Sequence, residues 1–294
     1  MADINREHKD RLFRFIFGNA EQKAWTLSLY NAMNGSSYDD PEAIQLTTIE
    51  DVLYMRMKND VSFLIANTMN IYEHQSSFNP NMPLRCLIYA GMAYSKYVET
   101  NDINLYSSKQ QKLPVPKLVC FYNGTEEQAD RRILDLADAF DAPEESDVSV
   151  RVTMLNINKD RNMELMDACK PLQEYAQLIE GIRCYQSQGY DIETAVGIAI
   201  DDMSEESVLK PYLLANKAEV KRMCLTEYDE AKTMAQFRAE GVEEGIELGV
   251  EKGIEKGIFE TLISLVKDGI LSAKDAAERA GVTEAAFLQR MSLQ

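Results

Sequence analysis

Three polar residues in the first third of the chain have the types and the spacing of a metal site that acts on phosphate. Glu73 and Gln75 stand two residues apart in a segment that predicts a strand, so their side chains share one face while His74 points to the other. Asp60 lies at the start of the preceding predicted strand, and a hairpin would bring it next to Glu73. Such carboxylates suit Mg²⁺, which can polarise a phosphoryl oxygen and lower the pKa of an attacking water.

The segment from residue 44 to residue 75 supplies the strands for this site. Its apolar and β-branched runs are separated by short polar turns, a pattern that predicts two or three consecutive strands. The runs are Ile44–Thr48, Val52–Met57, Val61–Ala66 and Met69–Gln75. Before them, residues 6–34 have helical spacing with a break at Gly18. After them, Pro83 is placed to open a helix that continues to about Val98.

The remainder of the chain predicts further strands and then helices. Lys117–Tyr122 and Val148–Ile157 are apolar enough to form a second strand pair. Thr125–Asp147 lies between them and has nine acidic residues and two arginines, so we expect an exposed helix and loop that does not face a phosphate backbone. Residues 163–238 predict helix throughout. The fold class is therefore α/β, with a mixed sheet flanked by helices and an all-α C-terminal region.

Composition limits the possible functions. The chain has 294 residues with 31 basic and 48 acidic side chains, a net charge of −17. This charge excludes a general basic coat for nucleic acid and leaves a local basic or metal-bridged site open. Two histidines argue against a zinc site, and five cysteines without a C-x-x-C pair predict buried thiols in a reducing compartment. The charged first fourteen residues lack the apolar segment of a signal peptide, and no apolar run approaches the roughly 18 residues that span a bilayer, so we expect a cytoplasmic protein without membrane association.

Six segments, taken in order along the chain, resemble one known family. They are Lys9–Arg14, Asn59–Phe63, Tyr72–Ser76, Asn79–Arg85, Lys117–Gly124 and the glycine-rich repeat Gly241–Gly257. Together they are similar to the recombination-promoting nuclease and transposase-like family, which belongs to the PD-(D/E)XK nuclease superfamily. The resemblance covers nearly the whole chain and is far more specific than a lone Glu-x-Gln.

The resemblance implies a restriction-endonuclease-like core and assigns roles to the three residues named first. Asp60 and Glu73 take the positions of magnesium ligands, with Mn²⁺ as a possible substitute. Gln75 takes the position where the wider superfamily has lysine, and the family itself commonly has glutamine there. A glutamine amide can orient an attacking water, but it cannot supply the positive charge of lysine, so more of the electrostatic work falls on the metal and on nearby cations.

Three supporting candidates also follow from the resemblance: Asp10, Arg85 and Tyr89. Asp10 matches an N-terminal acid that could help to position the metal, and a solvated acid in a first helical turn would explain it equally well. Arg85 falls in the first turn of the helix after the Glu73 strand, with Tyr89 one turn later on the same face. Arg85 could hold a phosphate bidentately, or it could pair with a surface acid.

A strict four-residue repeat places a glycine at every fourth position from Gly241 to Gly257. Each glycine costs about 1 kcal/mol in a helix relative to alanine, so two interpretations stay open. The segment is either a helix whose glycines allow close packing in a homo-oligomer, or a flexible connector. We divide the chain into a nuclease-like core at 1–162, a helical region at 163–238, the glycine-rich segment at 239–260 and a small helical cap at 261–294.

Two functions of different classes compete. The first is a magnesium-dependent DNA endonuclease, a hydrolase that acts in DNA recombination or on mobile elements, with Asp60, Glu73 and Gln75 as its catalytic residues. The second is a catalytically inactive nuclease fold that serves as a protein-interaction or assembly module. A true transposase is implied by the family's name alone. Under the first hypothesis, Asp60→Ala should abolish cleavage and leave folding intact, because a strand-end acid contributes little to a core.

Overall fold

A six-stranded mixed sheet forms the centre of the first of two compact units, Met1–Glu230 and Ala231–Gln294. The structure is a computed structural model that describes residues 11–47, 59–225, 246, 253 and 256–292. The strands are β1 (Gln45–Leu46), β2 (Val61–Ile65), β3 (Thr68–Gln75), β4 (Val115–Tyr122), β5 (Arg131–Asp135) and β6 (Arg151–Asn156).

The strand order across the sheet is β1-β2-β3-β4-β6-β5. β3 pairs with β4 and β4 pairs with β6 in parallel, whereas the other neighbours are antiparallel. β2 and β3 form the predicted hairpin, whose short turn includes Ala66 at a φ of 50°. Because parallel neighbours need a crossover, the chain crosses from β3 to β4 through a helix. The ends of β3, β4 and β6 therefore lie at the same edge as the start of β2.

The helices of the first unit follow the predictions around Gly18 and Pro83, whereas residues 163–225, which we predicted as helix throughout, are divided into several helices with non-helical residues at 202–209. They are α1 (Arg11–Phe17), α2 (Lys23–Asn34), α3 (Met82–Thr100), α4 (Met163–Ala168), α5 (Lys170–Ser187), α6 (Ile192–Asp201) and α7 (Lys210–Ala215), followed by a helical stretch at 217–225. The predicted break separates α1 from α2 at Gly18. Gly35 ends α2 in the left-handed conformation at a φ of 61°, and Pro83 lies in the first turn of α3, where its missing N–H costs nothing.

Helices cover both faces of the sheet, which confirms the α/β class with a mixed, helix-flanked sheet. On one face the ring of Phe121 packs against Phe13 of α1, with centroids 5.4 Å apart. Phe121 also contacts Tyr72 of the sheet at 5.4 Å, and Phe13 contacts Tyr175 of α5 at 5.6 Å. The opposite face packs against α3 through two clusters of buried side chains, Met69, Ile71, Tyr89 and Ala93 in one, and Met82, Cys86, Cys120, Tyr122, Leu134, Val152 and Met154 in the other. Glu73 lies on this second face.

The acidic stretch between β4 and β6 differs from its prediction. Residues Arg131–Asp135 form β5, an edge strand antiparallel to β6, where we expected an exposed helix and loop. The strand buries a single side chain, that of Leu134. Because charged residues surround Leu134, the sequence lacks the alternation of apolar and polar residues that predicts a strand. Pairing with β6 supplies the stabilisation that this sequence lacks by itself, as expected for β structure that depends on its neighbours.

The second unit is a small helical assembly with a core of its own. Its described helices are residues 256–267, Ala273–Arg279 and Glu284–Ser292. The rings of Phe259 and Phe287 stack with centroids 5.9 Å apart, and Ser272 caps its helix by accepting the Asp275 N–H at 3.1 Å. Most of the glycine repeat 241–257 lies outside the described residues. Within the described part of the chain, no helix is both long and apolar enough to cross a bilayer.

Two glycines provide a test of the packing at the carboxyl edge of the sheet. A Cβ added to Gly124, just after β4, would lie 2.6 Å from the Ser76 carbonyl oxygen and still closer to the Tyr122 hydroxyl. Gly124→Ala should therefore lower the free energy of unfolding by about 1–3 kcal/mol in urea titrations. Gly91→Ala, at an open and exposed position within α3, should raise it by up to about 1 kcal/mol. Equal effects of the two substitutions would contradict this packing.

Candidate metal centre

Two reciprocal hydrogen bonds join the predicted acidic pair at the open end of the β2–β3 hairpin. The pairing of Val61 with Tyr72 continues by one position and sets Asp60 opposite Glu73. The Asp60 N–H donates to Glu73 Oε1 at 3.0 Å, and the His74 N–H donates to Asp60 Oδ2 at 2.7 Å. Each carboxylate thus accepts a backbone N–H from the other strand. The predicted juxtaposition of the two acids is confirmed.

Arg85 closes the pair from the side of α3. Its Nη2 lies 2.7 Å from Glu73 Oε2 and donates to the Tyr89 hydroxyl at 3.1 Å, so the predicted common face of Arg85 and Tyr89 is confirmed. The Glu73 side chain is fully buried, and the Arg85 side chain is 14% exposed. Arg85 therefore pairs with the buried catalytic candidate itself, and the alternative of a surface acid as its partner is wrong.

The cluster shifts the pKa values of the groups that surround the two carboxylates. Burial lowers the pKa of the Arg85 guanidinium, but the charge of Glu73, the interactions with Tyr89 and the charge of Asp60 together outweigh burial, so the pKa lies above its ordinary value. Burial, followed by the Glu73 charge, raises the pKa of Tyr89 to about 12 and raises the pKa of the Cys86 and Cys120 thiols. These three groups stay protonated at neutral pH, so neither thiol is a thiolate nucleophile there.

Gln75 is buried beside this pair, and its side-chain amide has no described hydrogen-bond partner. It follows Glu73 by two residues on the same face of β3, and 2% of it is exposed. No described residue hydrogen-bonds to its Oε1 or its Nε2. A buried amide without a hydrogen-bond partner lowers the free energy of unfolding by about 1–3 kcal/mol. Such a group is expected where the amide contacts a ligand.

Of the two remaining residues considered in the sequence, His74 is described by the structure and Asp10 is not. His74 points to the opposite face, as expected, where it stacks on Phe13 with ring centroids 5.0 Å apart and its Nε2 lies 3.1 Å from the Tyr175 hydroxyl. His74 is therefore a core residue of the large aromatic cluster. Asp10 lies outside the described residues.

The environment of Asp60 corrects the expectation that its removal would leave folding intact. Asp60 is 4% exposed, and its carboxylate is an acceptor for the His74 backbone N–H. Asp60→Ala would leave that buried N–H without its partner, at a cost of about 1–3 kcal/mol. Asp60→Asn keeps an oxygen acceptor and removes the charge, so it is the better probe of chemistry.

The residues present fit a magnesium ion held by two carboxylates. Among the described residues, no group of three or more His, Cys, Asp and Glu side chains could hold a metal. Mg²⁺ commonly binds one or two carboxylates and completes its shell with waters and substrate phosphates, so Asp60 and Glu73 suffice as protein ligands. The unpartnered amide of Gln75 on the same face supplies a further polar group.

Asn123 and Arg183 are candidate site residues that sequence reasoning missed. Asn123 follows β4 at the carboxyl edge, donates its N–H to the Gln75 carbonyl at 3.0 Å and is 3% exposed, while no described residue bonds its Oδ1. Arg183 of α5 donates to the Asn123 carbonyl and, at 3.0 Å, to Asn158 Oδ1. The signal available for Asn123 was an Asn-Gly pair directly after a buried strand. Arg183 stands in an ordinary helical pattern and gives no such signal.

Removal of one partner from the buried ion pair should be more costly than removal of both. Arg85→Met strands the buried Glu73 charge and should lower the free energy of unfolding by about 3–5 kcal/mol. The double variant Arg85→Met/Glu73→Gln should be more stable than Arg85→Met alone, because no buried charge remains. Lys23→Met breaks an exposed pair with Glu42 of the same 2.7 Å length and should cost at most about 1 kcal/mol. The ion-pair account would be contradicted if the double variant lost as much free energy of unfolding in urea titrations as the sum of the losses for Arg85→Met and Glu73→Gln.

Gln75 allows a separation of stability from function. Gln75→Met keeps the side-chain length and removes the unpartnered amide, so it should raise the free energy of unfolding by about 1–3 kcal/mol. The exposed Gln289→Met is the control and should change stability by less than about 0.5 kcal/mol. A loss of stability in Gln75→Met would show that the amide has a structural partner.

Comparison of the chain with protein-family models, with curated proteins and with solved structures finds no match. Any functional assignment therefore rests on the residues and geometry of the site. Its contents are two buried carboxylates joined across a hairpin, an arginine paired with one of them, and a buried glutamine amide without a described partner.

Proposed function

We propose that the chain is a magnesium-dependent DNA endonuclease that acts in DNA recombination or on mobile elements. The observation that carries the proposal is a pair of hydrogen bonds, from the Asp60 N–H to Glu73 and from the His74 N–H to Asp60. They hold two buried carboxylates together beside the unpartnered amide of Gln75. Structural acids at strand ends are usually solvated, and these are not. Buried carboxylates kept side by side are a common feature of metal-dependent phosphoryl chemistry.

The topology supports a restriction-endonuclease-like core as part of this proposal. A β2–β3 hairpin bears the acids, α3 follows, and β4 returns parallel to β3. The site lies at the carboxyl edge of the parallel strands, where open α/β sheets bind their ligands. The segments that resemble the PD-(D/E)XK nucleases fall on the first part of β2, the end of β3, the start of α3 and most of β4, so the resemblance and the topology agree on the same elements.

Each residue then has a role that its chemistry allows. Asp60 and Glu73 hold Mg²⁺, with Mn²⁺ as a substitute, and when bound the ion supplies Lewis-acid polarisation of a phosphoryl oxygen and a water of lowered pKa. Gln75 orients that water through its amide. Arg85 balances the charge of Glu73 and presents its partly exposed guanidinium to a phosphate, and Tyr89 positions Arg85 through the bond to its hydroxyl.

The Arg85–Glu73 ion pair also favours a second candidate function. An arginine at 2.7 Å from Glu73 neutralises a carboxylate that a metal would use, and a net charge of −17 repels DNA. An inactive nuclease fold that acts as a protein-interaction or assembly module, including a homo-oligomer through residues 241–257, would tolerate both features.

Supercoiled-plasmid cleavage distinguishes the two functions. The parent should nick plasmid with Mg²⁺ or Mn²⁺ and not with chelator. Asp60→Asn and Glu73→Gln should each reduce the rate at least about 100-fold, because several kcal/mol of transition-state stabilisation are lost. Asp102→Asn makes the same charge change at an exposed site and should cut like the parent.

Thermal unfolding of each variant serves as the control for folding. Cleavage by Asp60→Asn at the parental rate would refute the site. A folded parent that cleaves neither plasmid nor oligonucleotide with either metal would favour the assembly module.

A further inference from the structure

The parallel strands β4 and β6 separate towards their amino ends. Their pairing begins at Val119 and Thr153, whereas β4 is paired with β3 from Val115 onwards and β6 is paired with β5 from Arg151 onwards. The Val115 N–H donates towards β3, so the next residue, Pro116, is the one whose N–H would face β6, and proline has none. The sheet therefore has a gap between two neighbouring strands at the end opposite to the candidate metal centre.

A cavity of about 640 Å³ lies at this gap. It is lined from β4 by Pro116, Lys117 and Leu118, and from the start of β6 and the two residues before it by Ser149, Val150 and Arg151. The volume is in the range of small-molecule sites in proteins. Lys117 precedes Tyr122, the end of β4, by five residues, which is about 16 Å of strand. The cavity is therefore separate from the metal centre.

Three cations that line the cavity share one face of the sheet. Lys117 and Arg151 each lie two residues before the first β4–β6 pair, so the alternation of side chains places both on the face of that pair. Arg131 pairs with Leu155, four residues after Arg151, and so lies on the same face. Lys117 and Arg151 thus lie opposite each other across the gap.

None of these three cations forms an ion pair or a side-chain hydrogen bond with a described residue, and all three are exposed. Other lysines of the same unit have acidic partners, such as Lys217 with Asp201 at 2.6 Å. Two positive side chains opposite each other repel, and an anion between them removes the repulsion. The fold therefore presents positive charge at the gap that no described acid offsets.

The chemistry of the cavity suits phosphate groups on an uncharged body. An arginine fork binds phosphate oxygens bidentately, and a lysine binds them as a point charge. The hydroxyl groups of Ser149 and Thr153 are available as neutral donors in the same lining. Val119 and Leu155 line the cavity on the face of the cations and provide apolar contact. A phosphorylated ligand with an apolar part matches both kinds of surface.

We propose that this cavity binds a nucleoside polyphosphate. Its phosphates lie between Lys117 and Arg151 and extend towards Arg131, and its nucleoside contacts the apolar lining. The inference does not depend on the proposed nuclease function, because it uses no residue of the metal centre.

The experiment measures binding of ATP, inorganic tripolyphosphate and adenosine to the full chain by calorimetry at low salt. Chelator keeps metal away from Asp60 and Glu73. ATP should bind, tripolyphosphate should bind more weakly because it lacks the nucleoside, and adenosine should not bind. Lys117→Gln and Arg151→Gln should each weaken ATP binding at least about tenfold, because each removes a charged hydrogen-bond donor.

Two control variants make the same changes at exposed cations away from the cavity, Lys112→Gln before β4 and Arg279→Gln in the second unit, and both should bind ATP like the parent. All four variants should keep the parental unfolding temperature, since the cations at the gap have no described partner to lose.

Four results would overturn the proposal. The first is an absence of ATP binding by the parent at low salt. The second is equal ATP affinity in the cavity variants and the control variants, which would place binding elsewhere or assign it to diffuse charge. The third is equal affinity for ATP and tripolyphosphate, which would exclude the nucleoside as part of the ligand. The fourth is a short duplex oligonucleotide that displaces ATP and loses affinity in the same two variants, which would make nucleic acid the occupant.

Discussion

The reciprocal hydrogen bonds between Asp60 and the Glu73–His74 segment are the constraint on which the site depends. Beyond the last regular pair of the hairpin, carboxylate oxygens take the place of backbone carbonyls as acceptors for the two N–H groups. This arrangement continues the ladder and at the same time holds two like charges side by side. Like charges repel, and the fold offsets the repulsion with two backbone N–H donors and with Arg85. The hairpin register supplies the two N–H donors and the position of α3 supplies Arg85, so both stabilise the buried acids.

Burial gives this cluster its strength and its specificity. Interactions between charges grow as water is excluded, so Arg85, Tyr89 and Glu73 form a tightly coupled unit in which removal of one member leaves a costly remainder. Neighbouring Cys86 has a raised pKa and adds no charge. Gln75 is the exception in the cluster, a buried amide without a described partner. An unpartnered amide at this place is what the proposed role of Gln75 in orienting a water requires.

Much of the fold follows from sequence because the signals are local. The β2–β3 hairpin was predictable from two apolar runs separated by a short turn, and its register then fixed the approach of Asp60 to Glu73. β5 was not predictable, because Arg131–Asp135 buries one side chain and depends on pairing with β6. The Arg85–Glu73 pair was missed as well, since the rotation of α3 on the sheet is set by tertiary packing that no spacing encodes.

Direct metal binding tests the two-carboxylate centre without any assumption about substrate. Titration of Mn²⁺ into the full chain, followed by calorimetry and by electron paramagnetic resonance of the free ion, should detect a site in the parent. Asp60→Asn keeps the acceptor for the His74 N–H and should lose that site while it retains the parental unfolding temperature to within a few degrees. Equal Mn²⁺ binding by the parent and by a folded Asp60→Asn variant would contradict the assignment of Asp60 and Glu73 as a metal centre.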